Sequence, residues 1–145
     1  MTDPVADPYR LERFVVAQNR GGTYERATAE LRAGRKLSHW MWFVFPQIEG
    51  LGLSAMAREF AISSLAEARA YLDHPVLGSR LAECTRILAA FHGKSAAEIF
   101  GDIDAVKLRS SMTLFIAAAP DGPAFGEVLA KYFGGEPDKA TLARL

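Results

Sequence analysis

Two clusters of polar side chains in this chain have types and spacing suited to chemistry. The first rims an aromatic run. His39 precedes Trp40, Met41, Trp42, Phe43, Val44 and Phe45, and Gln47 and Ser54 flank the loop that follows. Histidine is a general acid or base near neutral pH, and an apolar wall beside it excludes water and shifts its pKa. Tryptophan stacks on a planar ring such as a base or a nicotinamide. Glutamine reads an amide or hydroxyl edge, and Ser54 stands where helix N-terminal amides point outward. With Arg35 and Lys36 close in sequence, an anionic group could also be accommodated. The second cluster is Lys107, Ser110, Ser111 and Thr113. Lys107 and Ser111 are four apart and share a helix face, with Ser110 beside them. A serine activated by a lysine is a known nucleophile arrangement, although the common motif runs in the reverse order. His39, Lys107 and Ser111 are therefore the candidate catalytic residues. Trp42, Gln47, Ser54, Ser110 and Thr113 are the candidate ligand-binding residues.

Each of these residues also has a purely structural reading. His39 can bond a backbone carbonyl where the aromatic element starts, since buried polar groups are normally satisfied. Trp40 and Trp42 can both be core, each indole N–H tied to a carbonyl; on a helix they lie about 200° apart, so only one faces any given pocket. Ser54 can be an ordinary N-cap. The hydroxyls of the 110–113 run can bond back one turn and let a central helix pack closely. Cys84 lies in an apolar stripe and reads as inert core.

The elements that must position these residues are helices. Leu11, Phe14, Val15 and Gln18 recur at helical spacing from Pro8 onward, and Gly21-Gly22 ends that stripe. Thr23 can cap a helix with Tyr24, Ala27 and Leu31 inward and Gly34 past its end. The aromatic run predicts a short helix from about Ser38, because no other segment offers a strand to pair with, and Pro46 ends it. Gly50 and Gly52 allow a sharp turn or a close ligand approach. Ser54 caps the next helix, and Ser64 with Glu67 forms a capping box for another. Asp73-His74-Pro75 breaks the chain before Leu77, Leu81, Cys84, Leu88 and Phe91, the cleanest stripe present. Ser95 and Glu98 form a second capping box. Asp104 to Ala119 starts amphipathic and turns apolar nearly all round after Met112, which places its second half in the middle of the fold. Pro120 to Pro123 turns the chain, Phe125 to Phe133 carries the next inner face, and Asp138 caps a last helix.

The expected architecture is all-α, a single irregular bundle of about eight or nine short helices. Residues 1–7 form a tail and residues 8–145 the domain. A chain of 145 residues with half of them hydrophobic is long enough to bury roughly 70% of its unfolded surface. Its formal net charge is zero, whereas proteins that live on phosphate contacts show a basic excess, so nucleic acid is not an expected partner. A single cysteine excludes an intrachain disulfide and suits a reducing compartment. The first eight residues lack a basic n-region and an apolar h-region, and the apolar run Trp40 to Phe45 is far shorter than the roughly 20 residues that span a bilayer. A cytoplasmic protein with no membrane partner is expected. No metal-ligand spacing, Walker-type loop or GxGxxG occurs, so no metal and no cofactor is expected. The pattern leaves monomer and homodimer open.

Five motifs carry a family resemblance. They are residues 39–47, the Gly-Leu-Gly at 50–52, residues 71–81, residues 107–115 and Lys131 to Gly135. The chain resembles, from about Asp7 to its end, the family catalogued as domain of unknown function 1810, whose members are sometimes labelled calpastatin. The resemblance implies an all-helical single domain and implies no activity, substrate or cofactor. Calpastatin-type inhibitors are long, disordered and repetitive. This chain, with no internal repeat and with helix stripes that need one another, is a different kind of polymer. Two functions follow from the residues. One is a small-molecule pocket, nucleotide-like in its ligand, between the aromatic segment and the 107–115 helix, walled by Trp42 with Phe43 or Phe45. As an enzyme it would be a hydrolase, with hydrolytic or N-glycosidic chemistry and His39 as acid or base. The other is a non-catalytic protein- or peptide-binding module in which the aromatic motif is structural.

Overall fold

The computed structural model describes residues 6–122 and 124–145. Helix α1 (Glu12–Asn19) is entered through Asp7, whose carboxylate accepts the Leu11 N–H at 2.7 Å and the Glu12 N–H at 3.0 Å. The bond from Glu12, with that from Leu11, holds the Asp7 carboxyl below the usual carboxylate range. Asp7 thus anchors the first helix, although the sequence places it in the tail; residues 1–5 of that tail lie outside the described residues. A 3-10 turn (Arg20–Gly22) leads into α2 (Thr23–Ala33). Thr23, expected as the cap of α2, instead donates its hydroxyl back to the Arg20 carbonyl at 2.6 Å.

The aromatic segment forms a single helical turn, α3 (Met41–Val44). After the glycine loop come α4 (Ala55–Glu59) and α5 (Leu65–Asp73), capped by the hydroxyls of Ser54 and Ser64. Half of the expected capping box at α5 is made. The Glu67 side chain turns away from Ser64, bonds the N–H and hydroxyl of Ser63, and pairs with Arg13 at 3.0 Å. Helix α6 (Leu77–Ala90) begins beside His74, whose Nδ1 accepts the N–H groups of Val76 and Leu77, each at 3.2 Å. The capping box of Ser95 and Glu98 opens α7 (Ala96–Phe100). Then follow α8 (Asp102–Ala118), α9 (Phe125–Phe133) and α10 (Lys139–Leu142). Among the described residues the fold is all-helical, with eight helices of five residues or more and two single turns; the one β-type contact is an isolated parallel bridge between Ile48 and Ile62.

Helix α8 is the axis of the assembly. It packs against α5, α7, α9 and α10, and Leu108, Met112, Leu114 and Phe115 on it are fully buried. Aromatic rings carry the core outward from it. Phe115 lies 5.5 Å from Tyr71 and 5.8 Å from Phe125, and Tyr71 meets Phe14 edge-on at 5.1 Å. A second group, Trp40, Phe45 and Phe100, is spaced 6.3 to 6.4 Å apart between the aromatic segment and α7. The Phe14–Tyr71, Trp40–Phe100 and Phe45–Phe100 pairs meet edge-to-face, which adds to the gain from area burial alone.

One buried carboxylate organises the approach to α3. Glu30, near the end of α2, accepts the N–H groups of Leu37 at 2.8 Å and Ser38 at 3.0 Å, the Ser38 hydroxyl, and the Trp40 indole N–H at 2.9 Å. Burial disfavours its charge, but the bonds from Ser38, Leu37 and Trp40 outweigh that and bring its pKa down from 4.5 to about 2. A carboxyl whose folded pKa is depressed stabilises the fold above the unfolded value, and that contribution is lost as pH falls from about 4.5 through about 2. Glu30→Gln is therefore expected to cost about 3 kcal/mol at neutral pH and to flatten the acid limb of the stability curve. Urea unfolding at several pH values measures both; a variant with wild-type stability and an unchanged acid limb would remove Glu30 from this role.

Candidate functional site

A groove of about 500 Å³ opens between the glycine loop, α4, α8 and the start of α10. The backbone builds it in three steps. Of residues 40–46, only Trp42 is left half-buried, and the others sink into the core. The Ile62 N–H then bonds the Gln47 carbonyl, and the Glu49 N–H bonds the Ile62 carbonyl, both at 2.8 Å, which fixes Gln47 on the groove side of α3. The loop next turns through Gly50, at φ +95°, and presses Gly52 onto α4, where a Cβ would stand 2.6 Å from the Cβ of Ala57. No larger residue fits there without moving the loop, so Leu51, Leu53 and Ser54 are held on the groove's edge.

The opposite wall is one face of α8. Ile103, Val106, Lys107 and Ser110 are spaced three, one and three apart and all line the groove. The Lys107 ammonium sits 4.9 Å from the centre of the Trp42 ring and 3.3 Å from Asp104 Oδ1. Asp104 is shared with Lys36, whose ammonium lies 2.9 Å from Oδ2. This chain of charges ties the 35–38 segment, Trp42 and α8 together. At the far end Asp138 lines the groove. Its Oδ2 accepts the Thr141 N–H at 3.0 Å and hydroxyl at 2.6 Å and lies 3.2 Å from Ser110 Oγ. The Asp138 N–H donates to Thr113 Oγ1 at 2.9 Å. Asp138 is thus held from both sides, with Oδ1 left for another donor.

The residues picked from sequence divide into those that meet here and those that do not. Trp42, Gln47, Ser54, Lys107 and Ser110 all line the groove. Thr113 lies behind it, bonding the Arg109 carbonyl at 2.8 Å and positioning Asp138. His39 does not face it. The imidazole is exposed and lines a separate shallow depression with Lys36, Asp102 and Asp104, on the other side of a ridge made by Trp42 and Ile103. The expectation of His39 as acid or base in the pocket is corrected, because His39 lines a different depression from Gln47 and Ser54. Phe43 and Phe45 are core, so the apolar wall is Trp42 with Leu51, Leu53 and Val106. Ser111 shares no hydrogen bond with Lys107, has no exposed surface, and its hydroxyl has no partner among the described residues. The two do not form a nucleophile pair, since i, i+4 spacing places side chains on a common face without saying which of them the neighbouring helices cover.

Sequence reading passed over Asp138 as a site residue and over Leu51, Leu53, Ile103 and Val106 as its walls. A signal was present in α8: Ile103 and Val106 are apolar yet out of phase with the buried stripe Ala105, Leu108, Met112 and Phe115. Among the described residues no group of three or more His, Cys, Asp or Glu side chains is placed to hold a metal, and no helix is long and apolar enough to cross a membrane.

Two residues outside the groove test the partition. The Ser111 hydroxyl lacks a bond in a buried setting, which carries a penalty of about 1 kcal/mol or more. Ser111→Ala is therefore expected to hold or raise the melting temperature, and a fall of several degrees would show that the hydroxyl is bonded in solution. Burial pushes the Cys84 thiol up to about 12, so it is expected to stay unreactive toward an aromatic disulfide reagent until denaturant is added.

Comparison with known proteins places the chain. No curated protein matches it. A solved structure does: the conserved hypothetical protein Rv1873 from Mycobacterium tuberculosis, with 53% sequence identity and a TM-score of 0.92, covering 96% of this chain and 98% of that one. A family model described as "Protein of unknown function (DUF1810)" matches residues 8–145. The motifs that line the groove lie within that span, and the chain belongs to the DUF1810 family.

Proposed function

We propose that the groove between the aromatic segment and α8 binds a small, nucleotide-like metabolite, with a flat or apolar body and a polar end. The carrying observation is the brace between Lys107 and Trp42 at 4.9 Å, which keeps the one outward aromatic of the segment upright in an apolar concavity. Around it converge an amide (Gln47), two hydroxyls (Ser54 and Ser110) and a carboxylate (Asp138), a combination typical of ligand sites, and the volume falls in their usual range. Ser54 uses its oxygen to cap α4 at 3.1 Å and keeps its proton for a ligand. The Gln47 amide makes no side-chain bond to another described residue. The proposal is one of binding, with no nucleophile assigned.

A second reading has one observation in its favour. Leu53, Ile103 and Val106, at the rim, are 77%, 76% and 59% exposed, and exposed apolar residues gathered in one place suit a peptide partner.

A thermal-shift screen against nucleosides, nucleotides and their breakdown products separates the two. A ligand at a hundred times its Kd stabilises by about 3 kcal/mol, roughly 6 to 12 °C at this chain length. Trp42→Ala and Lys107→Met are expected to abolish the shift, and His39→Ala to keep it. If no small molecule moves the melting point, and a Val106→Glu variant instead loses self-association or peptide capture, the module reading stands.

A further inference from the structure

We infer that the ligand of this groove is a nucleoside, uncharged overall, and that a phosphorylated nucleotide is disfavoured there. The inference rests on the small-molecule reading above and narrows it.

The lining carries two ionisable side chains of opposite sign, Lys107 and Asp138. The Lys107 charge is not bare. The Lys107 ammonium already faces the Asp104 carboxylate at 3.3 Å, and Asp104 is in turn shared with Lys36 at 2.9 Å. The cation of the lining is thus partly neutralised from outside it by Asp104, while Asp138 is the one carboxylate in the lining. A triphosphate brings several negative charges toward Asp138 and meets one cation whose charge is already partly answered. Like charges held at short range in a partly dry site repel strongly. Phosphate sites are normally built from backbone N–H groups and cations without an acid in the lining.

What Asp138 is shaped to take is a pair of neutral donors. Its Oδ2 is committed to Thr141 and Ser110, and its backbone N–H to Thr113, so the carboxylate cannot swing away. A fixed carboxylate with an open oxygen is the group that accepts sugar hydroxyls. The remaining lining matches the rest of a nucleoside: an indole and aliphatic side chains for the face of a base, and the Gln47 amide, donor and acceptor together, for its edge.

The test is isothermal titration of the full chain with adenosine, guanosine, cytidine and uridine, each beside its 5′-monophosphate and 5′-triphosphate. At least one nucleoside is expected to bind at least tenfold more tightly than its own triphosphate. Asp138→Asn keeps the helix cap, since asparagine caps as well as aspartate. It is expected to reduce that preference by tenfold or more, while His39→Ala, which lies outside the groove, is not. Asp138→Ser, which also caps, repeats the measurement should the asparagine variant melt early. A triphosphate that binds more tightly than its nucleoside, an unchanged ratio in both Asp138 variants, or no binding by any nucleoside overturns the inference. If none of these compounds binds but another metabolite does, and Trp42→Ala removes it, the groove remains a ligand site and the nucleoside assignment alone fails.

Discussion

The buried carboxylate of Glu30 sets the geometry on which the candidate site depends. Its oxygens collect donors from Leu37, Ser38 and Trp40, so the chain between α2 and α3 has one way to run. With the Trp40 indole pinned inward, the turn that follows is locked in phase, and Trp42, two residues on, points to the other side. A slip of one residue would bury Trp42 and expose a neighbour. The carboxylate stays ionised because it is bonded by several donors, which is the condition under which a buried charge is tolerable.

A buried amide, Gln18, and a half-buried guanidinium, Arg13, bond the chain on either side of this region. Gln18 donates to the Phe43 carbonyl at 2.7 Å and to the Tyr71 hydroxyl at 3.2 Å, and its own oxygen accepts from Arg80. Arg13 bonds the carbonyls of Tyr9, Arg10, Glu59 and Ala61 and pairs with Glu67. The segment between α3 and α5 is irregular backbone, and these side chains supply the partners that a helix or sheet would otherwise give it. Satisfied networks of this type rigidify what they touch. The backbone at Phe43, Glu59 and Ala61, on either side of the segment that forms the groove, is held in this way.

The groove combines an apolar wall with polar groups that the fold already holds in place. Several polar groups on it are held by contacts inside the fold, and two of them keep an atom free. Ser54 caps α4 and retains a proton; Asp138 caps α10 and retains an oxygen; Lys107 braces Trp42 and carries a charge shared with Asp104. Side chains fixed by structural bonds can present a free atom in a defined direction without losing further entropy when a ligand arrives. Ser111 shows the contrast: it is fully buried in helix packing, has nothing bonded to its hydroxyl and does not line the groove.

The sequence alone determined the helical class, the caps at Ser54, Ser64, Ser95 and Asp138, the buried stripe of α6 and the central place of α8. It also named five residues that line one groove, Trp42, Gln47, Ser54, Lys107 and Ser110. These features are local: a cap is made within three residues, and a stripe is a periodicity. Only the tertiary structure decided that Glu30 holds Trp40, that His39 lies beyond the Trp42 ridge, that Ser111 is covered while Ser110 reaches Asp138, and that Ile103 and Val106 stay outside. Each of those depends on which neighbouring helix covers which side of a turn, and that contact joins residues far apart in the chain, where spacing carries no information.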